Sequence, residues 1–139
     1  MPTANKMNDG FNVSIVASSR ELTRREKLKY SDNGNAVKIN NVVTTDTPLV
    51  ITPVMYVITE THNERAKSNQ NKNYTSLCIE DSSGERYYSG SESLMSSFLN
   101  IWETMSDENG NPAEEYQIEI RQIPSSNRDG QFFLKAFII

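Results

Sequence analysis

Leu49-Val50-Ile51-Thr52-Pro53-Val54-Met55-Tyr56-Val57-Ile58-Thr59 is the longest β-rich run in the chain. Branched and aromatic side chains favour extended backbone, so the run reads as one strand. Pro53 breaks it, because proline cannot donate to a ladder and marks a bulge or an edge. A long first strand with a bend in it can pair at both ends, as the first strand of a small barrel does.

Working forward, His62 to Lys72 is wholly polar and reads as a long exposed hairpin loop. Tyr74–Ile79 reads as a second strand, Asp81-Ser82-Ser83-Gly84 as a turn and Arg86–Ser89 as a third strand. Ser91 then caps a helix. Leu94, Met95, Phe98, Leu99, Trp102 and Met105 recur at helical spacing and form its apolar stripe. Asn109-Gly110 ends that segment. Tyr116–Ile123 alternates cleanly, as a strand with one buried face does. Pro124–Gly130 is a polar loop, and Gln131–Ile139 is the last strand.

Working backward, Asp32-Asn33-Gly34-Asn35 stops a helix over 20–29, capped by Ser18 or Ser19. Leu22 and Leu28 give this helix a thin apolar side, so it must dock on something. Phe11, Val13 and Ile15 alternate with polar or small neighbours, in a strand-like pattern outside any hairpin. Residues 1–18 are expected to be a flexible N-terminal arm, 19–46 a helical lead-in and 47–139 the folded domain. The fold class is all-β with one or two helices. Three strands, a helix and two strands form a five-stranded Greek-key barrel of the OB-fold kind, with the helix between strands three and four. A split β-sandwich and an SH3-like barrel share much of that order and stay open.

The chain has 139 residues, 36% of them hydrophobic and 23% charged. Its apolar residues are clustered enough to bury a core, which excludes wholesale disorder. No apolar stretch approaches the roughly 18 residues a membrane helix needs. The opening residues lack the charged end and apolar block of a secretory signal, so a cytoplasmic location is expected. Cys78 is the sole cysteine and His62 the sole histidine, which leaves no set for structural zinc. No metal or cofactor is expected. There is no phosphate loop and no nucleophile elbow, and Glu80 and Asp81 point to opposite faces. An enzyme is not expected.

The net charge of −4 hides a segregation. Residues 1–30 carry +3, whereas 92–115 carry −6 with no Lys or Arg. A local field governs anion binding more than the total charge does. Single-strand binders need cations for phosphates and flat side chains for bases. Lys135 lies between Phe133 and Phe137 on one face of the last strand, and Arg121 lies outward on its neighbour. Tyr74 opens strand two, and Arg86, Tyr87 and Tyr88 form strand three. Arg65, Lys67, Lys72 and Arg128 occupy the two long loops. These residues, with Phe137 as a further stacking candidate, are the expected DNA-binding set. Phe11, Val13 and Ile15 either join protomers into a homo-oligomer or fold back on their own barrel.

Gly84-Glu85-Arg86-Tyr87-Tyr88-Ser89-Gly90-Ser91, Phe98-Leu99 with Ile101, Ile118–Ile120 and Pro124-Ser125-Ser126-Asn127-Arg128-Asp129-Gly130-Gln131-Phe132 carry a resemblance. Together with Leu22-Thr23-Arg24-Arg25-Glu26, they resemble the single-stranded DNA-binding proteins of Gram-positive phages and conjugative plasmids, the PrgE type. The resemblance spans about residues 20–139. It implies an OB-fold that coats single-stranded DNA with little sequence preference, in replication or conjugative transfer of a mobile element. The last strand replaces the flexible acidic tail of the bacterial housekeeping type, so recruitment of repair enzymes through such a tail is not expected. The competing expectation is an OB-like protein-interaction adaptor that does not bind nucleic acid.

Overall fold

The run from Leu49 to Asn63 is divided at Thr52 into two strands that serve two different sheets. A computed structural model describes residues 11–32, 35–63, 73–126 and 130–139, with the side chains of Phe11, Asn12 and Asn63 excepted. In chain order the elements are β1 (Phe11–Ser18), α1 (Arg24–Tyr30), β2 (Val37–Lys38), α2 (Ile39–Val42), β3 (Leu49–Ile51) and β4 (Pro53–Asn63). They continue with β5 (Asn73–Asp81), β6 (Arg86–Ser89), α3 (Glu92–Met105), β7 (Ile118–Pro124) and β8 (Phe132–Ile138). The chain is mostly β.

β3 pairs with β7, and β4 pairs with β5. The register shifts between Pro53 and Met55, where the proline bends the run as its chemistry requires. The larger sheet has the order β1-β4-β5-β6-β2 and the smaller one β3-β7-β8. β6 and β8 do not pair, so the two sheets do not close into a barrel. The turn between β5 and β6 rests on Asp81, whose carboxylate accepts from the Thr52 and Ser83 amides at 2.8 Å each. Gly84 completes that turn at φ +91°, a conformation that disfavours any side chain.

The main core lies between the sheets and α3. Leu94, Phe98 and Trp102 are its buried stripe. Tyr56 meets Phe98 and Trp102 edge-on, at centroid distances of 5.8 and 5.4 Å. Ser91 caps α3 by accepting from the Leu94 amide at 3.2 Å. α3 also seals the outer edge of β8. Ser93 Oγ donates to the Leu134 carbonyl at 2.8 Å, and the Ala136 amide donates to Ser97 Oγ at 2.9 Å. Those two backbone groups would otherwise await another strand. No helix among the described residues is long and apolar enough to cross a membrane.

Besides the unclosed barrel, three expectations change here. Residues 11–18, expected within a flexible arm, form β1 and pair along β4 of the same chain from Phe11↔Asn63 to Ser18↔Val57. This is the fold-back arrangement: Ile15 packs against the Leu22–Tyr30–Met55–Val57–Cys78 cluster beneath α1. The arm residues before them, 1–10, lie outside the described residues. The helix over 20–29 is shorter and starts later, because its cap is Thr23 and not Ser18 or Ser19. Thr23 Oγ1 accepts from the Glu26 amide at 3.2 Å, and Glu26 accepts from the Thr23 amide at 2.9 Å, a reciprocal capping box. The lead-in also enters the core: Ile39 and Val43 are buried in the main cluster, so the folded unit begins well before residue 47.

Candidate functional site

The face of the larger sheet that turns away from the main core is half covered and half open. α1 covers the end near Met55, Val57 and Cys78 through Leu22 and Tyr30. Tyr30 Oη donates to Glu80 at 2.5 Å, and Lys29 pairs with Glu80 at 3.4 Å. Burial and this hydrogen bond to Glu80 both push the Tyr30 hydroxyl above its ordinary pKa. Burial also lifts the Cys78 thiol to about 11, so it remains a packed, protonated side chain at neutral pH.

The open half is a groove of about 840 Å³. Thr59, Thr61 and Ser76 make its floor, and all three are buried. They sit side by side because Thr59 pairs with Ser76, and Thr61 with Tyr74. Val13 stands at one end, and Tyr88 and Lys38 at the other. Ser31 and Asp32, which follow α1 directly, line one side. The groove crosses five neighbouring strands at about 4.8 Å spacing, a span of roughly 19 Å.

The expected site residues divide sharply. Tyr74 and Tyr88 both line the groove, and Tyr74 is 48% exposed. Tyr87 points through the sheet and packs against the main core, where burial raises its hydroxyl pKa, with Asp81 and Glu85 adding to the rise. Arg86 is 7% exposed. Its guanidinium donates to the Lys29 carbonyl at 2.9 Å and the Asp32 carbonyl at 3.4 Å, and it lies 5.6 Å from the Tyr30 ring centroid. It therefore ties down the end of α1 and cannot reach a phosphate. Both Arg86 and Tyr87 are corrected from ligand contacts to structural residues.

Arg121, Phe133 and Lys135 lie elsewhere, on the outer face of the smaller sheet. Arg121 pairs in register with Lys135. The Arg121 guanidinium lies over the Phe137 ring at 4.4 Å and ion-pairs with Glu119. Phe133 lines a second, smaller cavity of about 270 Å³ with Asn40, Ser91 and Gln122. The two cavities adjoin along the chain: Lys38 and Gly90 line the first, Asn40 and Ser91 the second. Phe133 thus lines the neighbouring cavity and not the groove itself, while Arg121 is engaged with Glu119 and Phe137. Arg65, Lys67, Lys72 and Arg128 lie outside the described residues. Val13 and Ile15, expected between protomers, both belong to β1 of their own sheet.

Lys38, Thr59, Thr61 and Ser76 belong to the groove and were not among the expected residues. The alternation Thr59-x-Thr61 begins at the last residue of the β-rich run and continues past it, and it could have marked a polar floor. Lys38 gave no such signal, because β2 is two residues long and pairs in parallel with β6. No family model matches the chain, and neither does any curated protein or solved structure.

Proposed function

We propose that the chain is an OB-type single-stranded DNA-binding protein that coats DNA with little base preference and without a cofactor. The observation that carries this reading is the open groove with Tyr74 and Tyr88 at its walls and Lys38 at its end. Aromatic faces accept any base, and a cation near them meets the backbone. The pairing scheme supports the OB reading. One bent run joins β5 to β7, the helix follows β6, and β7 pairs with β8. β6 and β8 would be the open seam of a partly closed barrel. Service to a phage or conjugative plasmid in the cytoplasm rests on the PrgE-type resemblance. The homo-oligomer expected through the arm would use the outer edge of β1 or the exposed Val13, since Ile15 already packs on its own chain.

A titration with labelled oligonucleotides of differing base composition, followed by sedimentation at two salt concentrations, tests all of this together. Affinity should fall with salt, with a log–log slope of about −0.7 per phosphate contact. It should change little with base composition, and sedimented mass should rise in steps as the oligonucleotide lengthens. Absence of binding at low salt would favour the adaptor reading, in which the carboxylate-rich segment 92–115 meets a protein. Stepwise loading by single protomers that never associate would remove the oligomer alone.

A further inference from the structure

The described cations divide into those already engaged and those open to an anion. Among the described residues, Arg20 is held by Glu26 at 2.5 Å, Lys29 by Glu80 and Arg121 by Glu119. Arg86 is buried against backbone carbonyls. Arg24, Arg25, Lys27, Lys38 and Lys135 make no ion pair among the described residues, and all five are exposed. Three of these five stand on one short helix beside the groove.

At 3.6 residues per turn, Arg24, Arg25 and Leu28 share the face of α1 opposite Tyr30, and Lys27, three residues before Tyr30, stands on the flank next to it. Leu28, on that same face, is 76% exposed. A helix of seven residues would not hold such a face by itself, yet this one is pinned at both ends. The capping box and the Arg20–Glu26 pair fix its start. Arg86 and the Tyr30–Glu80 hydrogen bond fix its end. Two cations in the first turn oppose the helix dipole, so the fold keeps them against a small cost. The residues that leave the helix, Ser31 and Asp32, descend directly into the groove wall.

We infer that the exposed surface of α1 extends the groove beyond Ser31 and Asp32 as a phosphate-binding surface, with Arg24 and Arg25 on its outer face and Lys27 on its flank meeting phosphates of a single strand. Leu28 offers an apolar contact to the sugars between them. Bases would then lie toward Thr59, Ser76 and the two tyrosines, with the backbone along α1. This assignment rests on the single-stranded DNA reading above and adds a site to it.

The test is the triple variant Arg24→Gln, Arg25→Gln, Lys27→Gln, titrated with oligothymidine over a range of salt. All three side chains are exposed, and their loss relieves the dipole conflict, so the melting temperature should hold. The log–log salt slope should become shallower by about 2, from about 0.7 for each of three contacts. A control variant, Asn100→Asp, Ala113→Glu, Gln117→Glu, shifts net charge equally at exposed positions of or near the acidic segment and should keep the original slope. If the unaltered chain binds DNA but the α1 variant keeps its slope, the inference fails while the functional reading stands. If the unaltered chain binds no DNA, the functional reading fails first. If the α1 variant keeps its DNA slope but loses self-association, the patch instead docks the acidic surface of a second copy, and the inference is overturned.

Discussion

Tyr87 and Tyr88 are adjacent in the chain and lie on opposite sides of one sheet. Strand alternation dictates that much, and the two are half-buried against different clusters. Which one meets the main core was not legible. The choice depends on α3 and the smaller sheet covering one face while α1 covers only part of the other, and the α1 docking is decided by Tyr30, Glu80 and Arg86, residues far apart in the chain. Arg86 misleads for the same reason, since an arginine beside two tyrosines reads as a ligand contact until helix carbonyls are found in front of it. Alanine variants separate these roles. Tyr74→Ala should leave the melting temperature near its starting value and weaken DNA binding by about 1–3 kcal/mol, the worth of one stacked base. Arg86→Ala should do the reverse. It removes the guanidinium's hydrogen bonds to the Lys29 and Asp32 carbonyls and should destabilise the fold by about 1.5–3 kcal/mol. Equal binding losses at normal stability for both variants would return Arg86 to the interface.

β6 and α3 were readable almost to the residue, because each carries its own signal: aromatic extended residues in one, and a serine cap with an apolar stripe in the other. β2 and α2 carry none. At two and four residues they are too short for any periodicity, and they exist because Val37 and Ile39 find partners in the tertiary fold. The capping box of α1 is a different kind of omission. Thr23-x-x-Glu26 was present in the sequence and was a better start signal than the serines chosen. What the sequence could not reveal is how the unclosed seam is protected. β8 presents a strand edge, and Ser93 and Ser97 on α3 occupy it in place of a neighbouring strand. Ser97→Ala would strand the Ala136 amide, at a cost of about 1–3 kcal/mol. The variant should melt earlier and show a tendency to aggregate that the Ser93→Thr change, which keeps a hydroxyl, does not. An unaltered melting temperature in Ser97→Ala would mean that the amide finds another acceptor.

For the whole molecule, acid should act through two carboxyls. The Arg20 side chain, then the Thr23 amide, lower Glu26 to about 2. Burial alone would raise Asp81, but hydrogen bonds from Ser83 and Thr52 hold it below its ordinary value. Depressed carboxyls favour the folded state above the ordinary carboxylate range, and that support is withdrawn as pH falls from about 4 toward about 2. The melting temperature should drop through this window, and less steeply in Glu26→Gln. Parallel curves for the two proteins would mean that α1 contributes nothing to acid stability. The bend at Pro53 has a further consequence, and it concerns time. Ile51 is fully buried, yet its strand partner Ile118 lies 67 positions later in the chain. A ribosome adding about 5–20 residues per second needs roughly 3–13 s to make that stretch. β4, β5 and β6 can form their meander meanwhile, since their partners follow closely. Leu49-Val50-Ile51 cannot, and waits on the nascent chain as an apolar extended segment until β7 emerges. Synthesis, more than refolding from denaturant, is where this protein is exposed to misassembly, and substitutions at Leu49 or Val50 should show their effects first in soluble yield.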